Sequence, residues 1–451
     1  MASPPQPILD IAEFIADPVA AADFPQTILR FRNDRAAADV GLDGISDDEW
    51  VRHFGRFEPL PGNLPRPLAL RYHGHQFRVY NPEIGDGRGF LFAQLKDKSG
   101  RWLDLGTKGS GQTPYSRFGD GRLTLKGGVR EILATEMLQA LGVSTSRSFS
   151  LIETGEQLHR GDEPSPTRAA VLVRLSHGHI RIGSFQRLAF LKSDDELRRL
   201  TDYSLRTYFG SASADPIELL RHVVEGTARL AASYMAAGFV HGVLNSDNIN
   251  ITAESFDYGP WRFAPTFDPG FTAAYFDHAG LYSYGRQAEA IQWDVVQLAG
   301  SLRTIAEVDA MIAELDRFPA LYRAALIERF LWRLGVGSRG LEEDVALVQA
   351  IEEGLVGSRV GIDRFFFDWA SGDLRHGSDV YADEAFAPFR ERVAAYAPAR
   401  SMDHPFWSGE PCSMHIEEVE AIWARIAEDD DWSALHAKVA QVRAMGEALG
   451  V

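Results

Sequence analysis

Three oxygen-bearing side chains stand close together in HGVLNSDNINITAESFDYGP, residues 241–260: Asp247, Asn248 and Asp257. Carboxylates and amide carbonyls are the hard ligands that Mg²⁺ prefers, and a carboxylate left free of metal can take the proton of an attacking hydroxyl. The segment INIT between them (249–252) reads as a short strand. Asp and Asn also make turns and cap helices, so residue type alone leaves both readings open.

A second chemical group lies upstream, in LDLGTKGSGQTPYSRFGDGR, residues 103–122. It is not a P-loop, because no Gly-Lys-Ser/Thr follows the glycines at the required spacing. Nor is it a dinucleotide fingerprint, since Pro114 occupies the third glycine position. Lys108 instead follows an alternating strand, and Glu131 lies on the next helix, predicted over 127–141 from Val129, Ile132, Leu133, Met137 and Leu141 with Gly142 as the stop. A strand Lys with a helix Glu, followed by DN and DYG on either side of a short strand, resembles the phosphate- and metal-binding parts of protein kinases. A surface lysine and a solvated glutamate are the alternative.

Two GDGR sequences, Gly85–Arg88 and Gly119–Arg122, offer backbone N–H groups and an arginine to a phosphate, or make tight turns and nothing more. Arg174 and Arg181, in VLVRLSHGHIRIG, each sit between β-type neighbours on either side of an SHGH turn. On a pleated strand they point away from those neighbours, and they either converge on one anion or make salt bridges. The HGH triplets at 73–75 and 177–179 lack nearby Cys or carboxylate partners, which argues against zinc. Trp102, Trp261 and Trp293 read as packing residues, and Cys412 as a bystander.

The elements that must position these groups fall into two halves. From about 66 to 185, Gly-bounded alternating runs (GFLFAQL, RWLDLG, RSFSLIE, AAVLVRL, IRIGSF) predict strands. Beyond 194 the periodicity is helical, with helices predicted near 194–208, 215–238, 286–304, 305–316, 319–335, 340–355, 358–370 and 383–395 and two more near the C-terminus. An α+β half followed by a helical half predicts two lobes, and the irregular stretch from 238 to 286 is where function is expected.

Composition narrows the classes. The 451 residues include 46 Lys+Arg against 63 Asp+Glu, a formal charge of −17, which argues against gripping duplex nucleic acid. Hydrophobic residues at 45% suffice for a core. One cysteine excludes an intrachain disulfide and points to a reducing, cytoplasmic setting. Four acidic residues precede the first basic one, unlike a signal or transit peptide, and no long uncharged apolar run predicts a membrane span.

YHGHQF (72–77), GDGRG (85–89), KGSGQTPYSRFGDGR (108–122), REIL (130–133), GVSTSRSFSLIETGE (142–156), SHGHIRIGSF (176–185), HGVLNSDNINI (241–251) and FDYGPWRFAPTFDPGF (256–271) occur in the order and style of the selenoprotein O family. The likeness covers about residues 66–303. It implies an α+β, bilobal protein-kinase-like fold, with a mixed N-lobe at 51–190 and a helical C-lobe at 191–400. An N-terminal extension (1–50) packs on the core, and a divergent helical segment (401–451) follows. It further implies transfer of AMP from ATP, bound in reversed orientation, to Ser, Thr or Tyr hydroxyls of protein substrates, with Mg²⁺ or Mn²⁺ as cofactor.

By motif, Lys108 contacts phosphate and pairs with Glu131, while Arg174 and Arg181 hold the terminal phosphates. Gly85, Gly87, Arg88, Asp120 and Gly121 line the nucleotide. Asp247 is the general base, and Asn248 with Asp257 ligates the metal. The other readings in view are UMP transfer from UTP, a kinase-type phosphotransferase, and a nucleotide-binding pseudokinase. The chain departs from the family in ending RAMGEALGV, without the usual Cys or selenocysteine tail, and in matching poorly after about 400. Neither a nucleic-acid nor a membrane partner is expected.

Overall fold

The alternating apolar runs of the first half pair into a sheet around the strand that carries Arg174. The computed structural model describes residues 6–161, 163–377 and 379–451; the first five residues of the N-terminal extension lie outside them. In chain order the strands are β1 (Ala16–Pro18), β2 (Ile28–Arg32), β3 (Asn63–Leu70), β4 (Gly74–Gln76), β5 (Val79–Asn81), β6 (Leu91–Lys96), β7 (Trp102–Lys108), β8 (Leu123–Thr124), β9 (Arg147–Leu158), β10 (Thr167–Ser176), β11 (Phe239–His241) and β12 (Trp261–Phe263). The main sheet runs β1-β3-β6-β7-β10-β9-β2, with β8 also paired to β10. Residues 1–50 thus supply both outer strands of this path, where the sequence shows only an extension.

The helices are α1 (Ala12–Ile15), α2 (Asp34–Asp39), α3 (Asp47–Phe54), α4 (Leu125–Ala140), α5 (Ile182–Phe190), α6 (Asp194–Tyr208), α7 (Pro216–Ala237), α8 (Gln287–Leu302), α9 (Val308–Leu315), α10 (Phe318–Leu334), α11 (Leu341–Ser358), α12 (Ile362–Asp368), α13 (Ala387–Val393), α14 (Ile416–Asp429) and α15 (Ser433–Leu449). The division into a sheet-bearing half and a helical half is the one expected, with helix ends displaced by a few residues. The largest displacements are at α12 and α13, each starting four residues late; the predicted first turn of α13 is a separate 3₁₀ turn, Glu384–Phe386.

Strand β10 is buried on both faces, which is why AAVLVRL is almost continuously apolar. Ala170 and Leu172 share a core with Val129, Ile132 and Leu133 of α4. Val171, Val173 and Leu175 face the opposite layer with Trp50, Phe54 and Phe149. Arg174 has the parity of Leu172 and so lies on the α4 side. Helix α4 begins where the Thr124 side chain accepts from the Gly127 N–H at 3.1 Å. Its outer face is covered by α14 and α15, so Glu131 is held in a fully packed helix.

Two predicted strands are not strands. IRIGSF forms the start of α5, whose Ile182, Phe185 and Leu188 share a buried face at helical spacing. Six residues are too few to tell that period from alternation. INIT makes only a bridge between Asn250 and Arg181, because Ala253, at φ +58°, turns the chain away. Of the three tryptophans, Trp261 lies in the core, while Trp102 and Trp293 are only half-buried. Among the described residues, no helix is long and apolar enough to cross a membrane.

Candidate active site

Lys108 ends β7 and pairs with the Glu131 carboxylate of α4, both almost fully buried. Its ammonium also lies 2.9 Å from Asp257 Oδ1. Arg174 Nη1 approaches the same oxygen at 3.6 Å, and Arg181 Nη1 lies 3.4 Å from Asp257 Oδ2. Three cations therefore converge on one carboxylate, which a left-handed backbone (φ +62°) turns toward them. Burial alone would raise the Asp257 carboxyl, but Lys108, Arg174 and Arg181 hold it well below the ordinary range.

Arg174 stands on β10 as its alternation implied, whereas Arg181 lies off the sheet, at the N-terminal boundary of α5. There it is more useful than on a strand. Its Nη1 donates to the Asp247 carbonyl at 3.0 Å and its Nη2 to Asp86 Oδ1 at 3.2 Å, while its guanidinium lies over the Tyr72 ring at 4.3 Å. One side chain thereby joins the first GDGR loop, the Asp247 turn and Asp257. Several buried polar atoms here have no hydrogen bond: Arg174 Nε and Nη1, Arg181 Nε, Glu131 Oε2 and Asp247 Oδ1. Buried donors are almost always satisfied, so this concentration marks a place built to receive a polar ligand.

A cavity of about 540 Å³ opens over this cluster, within the range of small-molecule sites. Gly85, Gly87, Arg88, Lys108, Asp120, Gly121, Arg174, Arg181 and Asp257 all line it. Glu131 sits behind Lys108, and neither Asp247 nor Asn248 reaches its wall. Seven cationic side chains face three carboxylates on the lining, in a chain whose net charge is −17. A larger cavity, about 740 Å³, lies between α10 and the end of α15 and holds none of the candidate residues.

The glycines of the two GDGR sequences have separate reasons. A Cβ on Gly85 would meet the Tyr115 ring at 2.5 Å, and one on Gly121, at φ +71°, would strike the Gly111 carbonyl. Asp120 accepts both terminal nitrogens of Arg160, at 2.8 and 3.0 Å, so it clamps its own loop. Asp86 and Arg160 escaped the sequence reading. The first lies inside a motif read for its glycines and its arginine, and the second carries no local signal.

Asp247 follows Asn245 and Ser246 in a turn held by the YHGHQF segment. The His75 N–H donates to Ser246 Oγ at 2.8 Å, and the Phe77 N–H to Asn245 Oδ1 at 3.0 Å. A side chain at position 74 would strike Asp247 Oδ1 at 2.7 Å, which accounts for the glycine between the two histidines. Burial pushes the Asp247 carboxyl up to about 6, partly offset by Arg181. Asn248 donates its amide N–H to the Val243 carbonyl at 2.9 Å, leaving its Oδ1 free to ligate.

Asp294 of α8 was also missed: it is fully buried, neither oxygen is hydrogen-bonded, and burial with the nearby Asp247 charge raises it well above the ordinary range. The histidine triplets serve packing. His73 Nδ1 meets Tyr80 OH at 2.7 Å and His179 Nδ1 meets Asp104 at 3.3 Å. Among the described residues, no group of three or more His, Cys, Asp and Glu gathers to hold a metal.

Just beyond the Asp247 turn, Glu254 accepts the His177 N–H at 2.7 Å and ties the turn to the end of β10. Burial pushes its carboxyl up to about 7, against the His177 amide, Arg147 and Arg101. The folded protein thus holds this proton more tightly than the unfolded chain does. Its contribution to stability is complete below the ordinary value of 4.5 and is lost as pH rises through about 7. Glu254→Gln should match the parent melting temperature at pH 4 and exceed it at pH 8; an offset independent of pH would contradict this assignment.

Fold and cavity together define a two-lobed α+β protein with a cationic cleft and a buried carboxylate beneath it. The sequence profile described as "Protein adenylyltransferase SelO" matches residues 7–386, wider than the 66–303 over which the motifs are legible, and the chain belongs to that family. It is 46% identical over 448 residues to the protein nucleotidyltransferase YdiU of Gloeobacter violaceus, covering 95% of this chain and 92% of that one. It is 42% identical to the protein of the same name from Synechococcus elongatus, covering 96% and 93%. An alignment of that extent runs past residue 400. The structure of ROP2 from Toxoplasma gondii, described as a virulence factor with a protein-kinase fold and no enzymatic activity, aligns at TM-score 0.27 and 10% identity over 81% of this chain and 92% of its own.

Proposed function

We propose that this protein transfers AMP from ATP to a Ser, Thr or Tyr hydroxyl of a protein substrate. The observation that carries the reading is the convergence of Lys108, Arg174 and Arg181 on Asp257 within a cationic cavity, beside the buried carboxylate of Asp247. Nucleotidyl transfer needs the α-phosphorus to face the acceptor, so the β- and γ-phosphates need cations elsewhere, and these three supply them. The acceptor oxygen bonds to the α-phosphorus, the bond from that phosphorus to the bridging oxygen breaks, and pyrophosphate leaves. Asp247 receives the hydroxyl proton.

The residues also suit Mg²⁺, or Mn²⁺. Asn248 Oδ1 and the Asp257 carboxylate are hard donors, and a site with two protein ligands completed by phosphate oxygens is the habit of this ion. Held by Asn248 and Asp257, the metal would supply positive charge against the phosphates and the departing pyrophosphate. Lys108 and Arg174 then exchange part of their contact with Asp257 for phosphate oxygens, and Glu131 keeps Lys108 in place. The family assignment and the names of the relatives support the transfer of a nucleotidyl group.

ATP labelled at the α- or the γ-phosphate, incubated with the protein and a lysate, tests it: protein should acquire the α label alone. Label from the γ position alone would make the protein a phosphotransferase. Labelled UTP run in parallel decides between AMP and UMP transfer. Arg174→Ala should weaken ATP about 10- to 100-fold, as expected for a charge-assisted hydrogen bond, and AMP far less. Equal losses for both nucleotides in a binding titration would remove Arg174 from the terminal phosphates.

A further inference from the structure

We propose that Phe118, on the wall of the cavity that Lys108, Arg174 and Arg181 also line, is a stacking platform for the nucleobase; this rests on the nucleotide reading above. Phe118 is the most exposed large apolar side chain among the described residues, at 107% of its reference area, yet it stands on the wall of a cavity lined mostly by charge. A fully exposed phenyl ring contributes nothing to the core, and its burial is favourable wherever a partner is available.

The ring is not carried on a loose tip. Thr113 Oγ1 donates to the Asp86 carbonyl and Ser116 Oγ to the Gly87 carbonyl, each at 2.5 Å, and Gln112 Nε2 donates to the Gly119 carbonyl at 2.9 Å. The Gly111 N–H donates to the Gly121 carbonyl at 3.1 Å, closing the loop at its base. Immediately before the ring, Arg117 adopts a left-handed backbone, φ +52°, so the loop fixes where Phe118 emerges. A ring displayed by so many anchors is a surface made for contact.

One ligand can meet both the ring and the cations, because Phe118, Lys108, Arg174 and Arg181 line the same cavity. Phosphates bound by those cations leave the base to meet Phe118. Stacking on an aromatic ring tolerates every base, because each has a π-face. The platform therefore sets affinity for the nucleoside without reading adenine against uracil by hydrogen bonds.

Equilibrium titration of the full chain with Mg²⁺ and either ATP or inorganic tripolyphosphate tests the proposal. Phe118→Ala should weaken ATP about 5- to 150-fold, the range of a lost base stack, and leave tripolyphosphate unchanged. Phe118→Tyr should keep parental affinity for both. ATP bound equally by the parent and Phe118→Ala, or tripolyphosphate weakened along with ATP, overturns the platform. A parent protein that binds tripolyphosphate but not ATP overturns the nucleotide reading itself, and the platform with it.

Discussion

Substituting Asn for Asp247 should lower the rate of nucleotide transfer about 10²- to 10⁴-fold, the span of a lost general base, while ATP affinity stays near the parent value. The two side chains have the same shape, so the turn held by His75, Phe77 and the Arg181 contact to the Asp247 carbonyl persists. What disappears is the proton acceptor. Asp247 Oδ1 has no hydrogen-bond partner and its burial disfavours charge, so the neutral amide should leave the melting temperature unchanged or raised. Single-turnover kinetics with a defined acceptor, alongside thermal unfolding, checks both halves. A parental rate would remove Asp247 from the chemistry.

Asp257→Ala should have the widest consequences. This carboxylate faces Lys108, Arg174 and Arg181; Lys108 keeps a second anion in Glu131 and Arg181 keeps one in Asp86. Breaking a buried ion cluster from one side typically costs about 3–5 kcal/mol, so the free variant should melt well below the parent. Its Mg²⁺-dependent ATP binding and turnover should vanish, because half of the proposed metal ligation is gone. Tripolyphosphate without Mg²⁺ should bind at least as well as to the parent, since the cations it meets are no longer covered. Unchanged melting and unchanged Mg²⁺ dependence together would exclude Asp257 from the metal site.

Much of the site was legible because its residues lie in short segments whose local pattern survives folding. Lys108 at a strand end and Glu131 on a helix follow from two periodicities, and Arg174 from its parity on a strand. Arg181 was misplaced because IRIGSF is too short to separate alternation from a helical face. The roles of Asp86, Arg160 and Asp294 depend on residues 40 to 95 positions away or on burial by other elements, and such tertiary facts leave no mark on local sequence. The edge strands at 16–18 and 28–32 were invisible for the same reason: their partners are Leu68–Leu70 and Ser150–Glu153.

The outer face of α4 is covered by the last helix of the chain. Arg443 of α15 bonds Glu136 at 2.6 and 2.8 Å, and Gly446 lies against Ala140. During synthesis, every side chain proposed for the chemistry has left the ribosome once residue 257 has emerged. Helix α4, which holds Glu131 against Lys108, still lacks its cover until the final helix arrives. The side chains proposed for the chemistry therefore emerge well before the helix that covers α4.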